Sequence, residues 1–384
     1  MKKQIFFGAL ACLALASCSN DKTLDVNRIE DEIRYNVVAN GATKAADVYC
    51  NNNKPGEFSV WAIHNSKTYI NGDVIKEESG AWKNTSGVRY WPESGNIDFY
   101  AHVNAGDKFT WDATSPVPPT ITDYEVSTDV AAQNDLLYAV KKDVAKTNSA
   151  VALNFHHALS QIVFKAKNTN KNFYVEISGV KLCNINSKGT YTFPTASTDG
   201  CNNNSEPNHD LPSTINGGQG AWNGHETLVN YDVTFPFVAV DGNDTAVDLT
   251  SANTSGKEFS SNALLLLPQT TSKWVKATNE NGSYLLVNCL VYNVAGTSVD
   301  KDNDVVLWGN GTGSSATAKE LAILADFNWE EGKKYTYTLV FGEGAGVTPP
   351  TPGTDPDPVL VPITFDVTVD DFVAVAGEDI NAAI

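Results

Sequence analysis

What most narrows the folds open to this chain is a series of short apolar runs, each rich in β-branched and aromatic residues and closed off by Gly, Asn, Asp, Ser or Pro. They read EFSVWAIH, NIDFYAHV, DLLYAV, LSQIVFKA, FYVEISGVKL, GTYTF, YDVTFPF, ALLLLP, YLLVNCLVYNV, KYTYTLVF and ITFDVTV. Long helical periodicity is missing, and only TAKELAILADF suits a helical turn as well as a strand. Such regular punctuation predicts an all-β chain built of sandwiches.

A chain of 384 residues, 42% of them hydrophobic, exceeds one ordinary core and fills two. The polar patch KKDVAKTNSA, residues 141–150, is the natural boundary, giving an N-terminal unit over 33–147 and a C-terminal unit over 148–347. Residues 199–225 form a long Asn/Gly/Pro excursion, a length that usually carries function or mobility. A proline-rich linker, 348–358, then leads to a terminal strand segment, 359–384. Its prolines favour an extended path of about 3.1 Å per residue, hence roughly 30 Å of reach.

The first residues, MKKQIFFGALACLALASC, are an export signal: two lysines, an apolar run too short for the roughly 20 residues a bilayer span needs, and small residues before a cysteine. Leu15-Ala16-Ser17-Cys18 matches a bacterial lipobox, so residues 1–17 are read as a signal peptide and 18–32 as a polar leader. Acyl chains on Cys18, palmitate among them, would tether the protein to a membrane surface without crossing it. Loss of Lys2 and Lys3 with the signal takes the net charge from −18 to −20, a surface that repels phosphate backbones and disfavours nucleic acid. Four cysteines follow the lipobox, Cys50, Cys183, Cys201 and Cys289, with three connectivities open; Cys183 and Cys201, flanking one excursion, are the favoured pair.

Two segments share one pattern. Ile33, Tyr35, Val37 and Ala39 occupy one side of a pleat near the start, with Val38 the one intruder. Ile363, Phe365, Val367 and Val369 repeat that face near the end. Either segment suits one apolar groove of a sandwich, whereas a plain closing strand would show the same alternation.

Catalytic and metal chemistry find little support. Adjacent His156 and His157 point to opposite faces of a strand, which predicts one packed and one solvated histidine. DKDNDVVLWGNG spaces Asp300, Asp302 and Asp304 as a calcium loop would, but Val305 replaces the required glycine and Gly311 the closing glutamate, so a solvated turn is expected. No nucleophile motif, phosphate loop or dinucleotide fingerprint appears, and neither enzyme activity nor a cofactor is expected. Trp222 is the aromatic in the excursion to watch for sugar stacking, with folding back onto the sandwich the preferred reading.

The lipobox, RYWPESGNIDFYAHV, DLLYAV, NFHHALSQIVFKAK, GTYTF, LLLLPQ and GKKYTYTLVF together resemble the fimbrillin family of outer-membrane lipoproteins that polymerise into pili. The resemblance spans essentially the whole chain and implies two tandem transthyretin-like Greek-key β-sandwich domains. It further implies a surface-exposed, outer-membrane or fimbrial location, other pilus subunits as partners, and proteolytic removal of the N-terminal strand. The vacated groove would then accept a donor strand, so Ile33, Tyr35, Val37 and Ala39 become the displaced strand and Ile363, Phe365, Val367 and Val369 the donor. The family's Arg-Ala cleavage step is replaced here by Lys44-Ala45, while Arg28 precedes the strand and Arg34 lies within it. The alternative is a non-polymerising surface lipoprotein that binds glycan or host protein through residues 199–225.

Overall fold

The computed structural model describes residues 31–39, 55–115, 117–198, 219–250 and 263–371. Among the described residues, nineteen strands and a few single-turn 3₁₀ helices make up an all-β fold. The first sheet comprises β1 (Tyr35–Ala39), β2 (Glu57–His64), β3 (Lys67–Glu78), β4 (Ala81–Asn84), β5 (Ile97–Val103), β8 (Leu137–Val144) and β9 (Val151–His157). It closes into a barrel in the order β1-β4-β3-β2-β5-β8-β9. Its tight hairpins use left-handed residues: Asn65 and Ser66 turn β2 into β3, and Ser79 and Gly80, at φ 55° and 83°, turn β3 into β4.

The second half stacks two sheets. One is five-stranded, ordered β13 (Val247–Asp248), β10 (Ser160–Asn168), β18 (Lys333–Phe341), β19 (Ile363–Asp371), with β14 (Leu264–Leu266) also on β10. The other is seven-stranded, ordered β16 (Val305–Trp308), β15 (Tyr284–Asn293), β11 (Phe173–Thr192), β7 (Thr120–Glu125), β6 (Phe109–Thr110). Here β12 (Ala221–Asp241) runs along β11, and β17 (Lys319–Leu324) pairs with β15. The ambiguous TAKELAILADF is thus a strand, because its apolar residues are paid out against β15 and not along a helix face.

Alternation decides which residues fill the barrel. On β2, Phe58, Val60 and Ala62 point inward and are buried. Strand β5 is covered on both faces, since Ile97, Phe99 and Ala101 line the barrel while Tyr100 belongs to the core of the second half. Tyr138 and Val140 of β8 join Tyr100 there, so the outer wall of the barrel is one wall of the second core.

By strand pairing, the polar stretch 141–150 holds the last residues of β8 and the turn that leads to β9 within one sheet, and the chain changes sheet at the buried pair Ala158 and Leu159. A solvent-facing hairpin turn and a linker share the same composition. Strand β7 pairs with β11 of the second half, and β6 pairs with β7.

Candidate functional site

The leader strand β1 lies in the barrel wall between β4 and β9. Its ladder with β9 is parallel and runs from Tyr35↔Val151 to Ala39↔Phe155, whereas β4 contributes the single pair Tyr35↔Trp82. Just before it, Ile33 N donates to Arg89 O (2.8 Å) and Trp91 N donates to Asp31 O (2.8 Å). Ile33, Tyr35 and Val37 are buried while Arg34 and Asn36 are exposed, the face read from the alternation. The side chains of Val38 and Ala39 lie outside the described residues.

Ile33, Tyr35 and Val37 complete the barrel core. The Tyr35 ring meets Phe58 and Phe99 edge-on at 5.9 and 6.2 Å between centroids. Its hydroxyl is buried with no hydrogen-bond partner, and burial, with the nearby Asp73 charge adding to it, pushes its pKa far up. An orphaned buried hydroxyl costs about 1–3 kcal/mol. Tyr35→Phe is therefore expected to raise stability by about 1 kcal/mol in denaturant unfolding; a loss of similar size would show that the hydroxyl is satisfied. Phe365 stands at the matching position of the tail.

Sequence reasoning missed what props the slot. Arg89 Nε and Nη2 grip the two oxygens of buried Asp73 at 2.6 and 2.9 Å, and Asn84 donates to the same carboxylate at 2.6 Å. Burial alone would raise the Asp73 pKa, but the Arg89 and Asn84 hydrogen bonds hold it below the ordinary value. The pair fixes the segment whose backbone receives the leader. The signal available was the scarcity of arginine: Arg89 is one of three in the chain.

The tail strand β19 pairs antiparallel with β18 from Lys333↔Asp371 to Phe341↔Ile363 and ends its sheet. Cover fades along it: Ile363 is buried, and Phe365 is half-buried with its ring 5.4 Å from that of Tyr337. Val367 and Val369 are 40% and 53% exposed. The alternation placed four residues on one face, and the fold covers two of them.

The linker is not the extended leash its prolines suggested. Val347 exchanges two hydrogen bonds with Ala322 of β17 (2.8 and 3.0 Å), Thr348 N donates to Asp357 O (2.9 Å) and Val359 N to Gly346 O (3.0 Å), closing a loop against the sheet edge. Glu280 accepts from Gly353 N at 2.8 Å, and Lys276 pairs with Asp355 at 2.9 Å. Polyproline backbone still has carbonyls to offer, and here a docked edge and two side chains outweigh extension.

Of the other expected residues, Arg34 sits on the strand's outer side, its guanidinium donating to Asn148 O and its carbonyl accepting from Val151 N (2.7 Å). Cys18, Arg28, Lys44, Ala45 and Cys201 lie outside the described residues. Cys183 is a buried free thiol that packs with Leu286 and Ala322, and burial raises its pKa to about 12. Both histidines are buried, correcting the expected solvated one. His156 Nε2 lies 3.0 Å from Thr198 O, and His157 Nδ1 lies 2.9 Å from Asp135, because the barrel wall carrying them is covered on both sides. Asp304 is likewise buried, its carboxylate accepting from Ala295 N and Asp300 N (3.0 and 2.6 Å), which spends it on the turn. Trp222 folds back, donating from Nε1 to Ala158 O at 2.6 Å beside Tyr191.

The solved structures similar to this one include a fimbrial protein from Bacteroides vulgatus ATCC 8482, with TM-score 0.51, 16% identity, and 89% of this chain and 100% of that one covered. A "putative cell adhesion protein" from Bacteroides uniformis ATCC 8492 gives TM-score 0.42 and 15% identity over 89% of this chain and 99% of its own. None of the curated proteins matches. The fimbrillin-like family model matches residues 42–369, reaching from just after the leader strand almost to the end of the tail strand. With most of its length so matched, the chain belongs to the fimbrillin-like family.

Proposed function

We propose that this chain is a surface fimbrial or adhesive subunit, exported and lipidated at Cys18, that assembles by strand exchange. In this reading a protease cuts between Lys44 and Ala45, the leader leaves the barrel, and the tail of a neighbouring subunit takes its slot. The leader suits this role because it is the first segment of the sheet and is held chiefly along one edge, so it can depart without threading. The observation that carries the proposal is the uneven cover of the tail: its face matches the leader's, yet Val367 and Val369 are half bare in the subunit that owns them. A strand end with unspent apolar surface and an open ladder edge is suited to a second host.

Val367→Asp with Val369→Asp is the discriminating variant, because truncation at 359 would also strip buried Val361 and Ile363 from the second core. Exposed substitutions of this kind change monomer stability by within about 0.5 kcal/mol. The expected result is a normally folded subunit that no longer adds to polymers. Wild-type polymer yield from this variant would remove the donor role. Mass spectrometry of the N-terminus on cells reports the processing step: polymers should start at Ala45, whereas an intact acylated Cys18 throughout would identify an anchor or a monomeric surface lipoprotein.

A further inference from the structure

At the joint between the barrel and the second half, a cavity of about 240 Å³ opens to solvent. One side is apolar: the rings of Tyr100 and Trp111 meet edge to face, 5.6 Å apart at 72°, with Pro119 beside them. The other side is a charged pair whose geometry is already set. Asp98 and the Lys142 ammonium lie 2.6 Å apart, the ammonium also donates to Tyr100 OH at 2.7 Å, and Asp143 N donates to the second Asp98 oxygen at 2.7 Å. The side chains of Lys142 and Asp98 keep 28% and 29% of their surface, so both can be reached from the cavity. Asp112 and Thr195 also line it.

The charges of Asp98 and Lys142 cancel, and Asp112 adds one negative charge within a strongly acidic protein. An anion is therefore repelled, and a cation finds the ammonium in its way. What complements an acceptor and a donor side by side, next to aromatic planes, is a neutral ligand with adjacent hydroxyls on one edge and a C–H face on the other. We propose that this cavity binds one pyranose ring of a neutral saccharide, with Trp111 facing the C–H surface and Asp98 and Lys142 dividing a vicinal pair of hydroxyls. The volume lies below the roughly 300–1,000 Å³ of drug-sized pockets and suits one ring, the rest of a glycan running out into solvent. The site is distinct from the leader slot and from the tail.

The test is titration of the exported chain with methyl α-D-mannopyranoside, methyl β-D-galactopyranoside and methyl β-D-glucopyranoside, read by tryptophan fluorescence and saturation-transfer NMR. N-Acetylneuraminic acid and lysine methyl ester serve as charged comparators. At least one neutral glycoside is expected to bind, with Trp111→Ala and Asp98→Asn each weakening it about tenfold. Circular dichroism checks both folds; should the tryptophan variant unfold, Asp98→Asn carries the comparison. No binding at tens of millimolar, unchanged affinity in Asp98→Asn, or binding confined to a charged comparator would each overturn the proposal.

Discussion

Excising the leader strand is expected to cost the barrel roughly 5–9 kcal/mol, from about 1.5–3 kcal/mol for each of the three large side chains it buries. That is comparable to the whole stability of an ordinary domain. Ile33, Tyr35 and Val37 are all but inaccessible, and their loss opens the wall along the length of β9. A chain lacking residues 1–44 should therefore show a molten or unfolded first half by near-UV circular dichroism and hydrogen exchange, while the β10, β11, β15 and β18 amides stay protected. Adding a peptide of residues 359–384 should restore the lost protection in β9. The same peptide with Asp at 367 and 369 should fail. Full protection in the truncated chain without any peptide would mean that the slot needs no occupant.

The second large effect concerns pH. His102 is buried between Trp61 and Phe109, with ring centroids at 5.0 and 5.1 Å, and neither ring nitrogen has a partner; burial lowers its pKa to about 4. Glu331 is buried at the joint, and burial raises its pKa to about 7 although Tyr138 OH and Gly220 N donate to it at 2.6 and 3.3 Å. The two act in opposite senses. His102 stabilises fully above pH 6.5, its ordinary value, and that contribution drains as pH falls toward 4. Glu331 stabilises below pH 4.5, its ordinary value, and that contribution drains as pH rises through 7. Each amounts to about 3 kcal/mol, at about 1.4 kcal/mol per pH unit, and between 4.5 and 6.5 they largely cancel. Single variants should expose them. Relative to wild type, Glu331→Gln should gain stability as pH rises from 4.5 to 7, and His102→Phe should gain it as pH falls from 6.5 to 4. Denaturant midpoints across this range supply the measurement, and curves parallel to wild type would refute both assignments.

The all-β class was legible because alternation and turn residues are local signals, and the inward faces of β1 and β2 follow from period two alone. Long-range partnership was not. Nothing in IRYNVVA says that its ladder neighbour is VALNFHH, or that ITFDVTV ends a sheet with half its face bare. Composition is also ambiguous where one residue type serves two ends: the prolines of 348–358 suit a tether and a docked loop equally, and the polar 141–150 suits a linker and a hairpin. The burial of both His156 and His157 depends on the second half covering the barrel's outer wall, a fact no single strand contains.

The parallel union of β1 with β9 also sets an order of events. A chain appearing from its N-terminus displays the first barrel strand at once, but the strand it must lie beside comes last in that sheet, so closure waits until Phe155 has emerged. During that interval the growing sheet presents a raw margin to every neighbour. A cover synthesised ahead of the gap it will seal is a safeguard against premature liaison, and it travels on the same polypeptide at a local concentration no stranger can match.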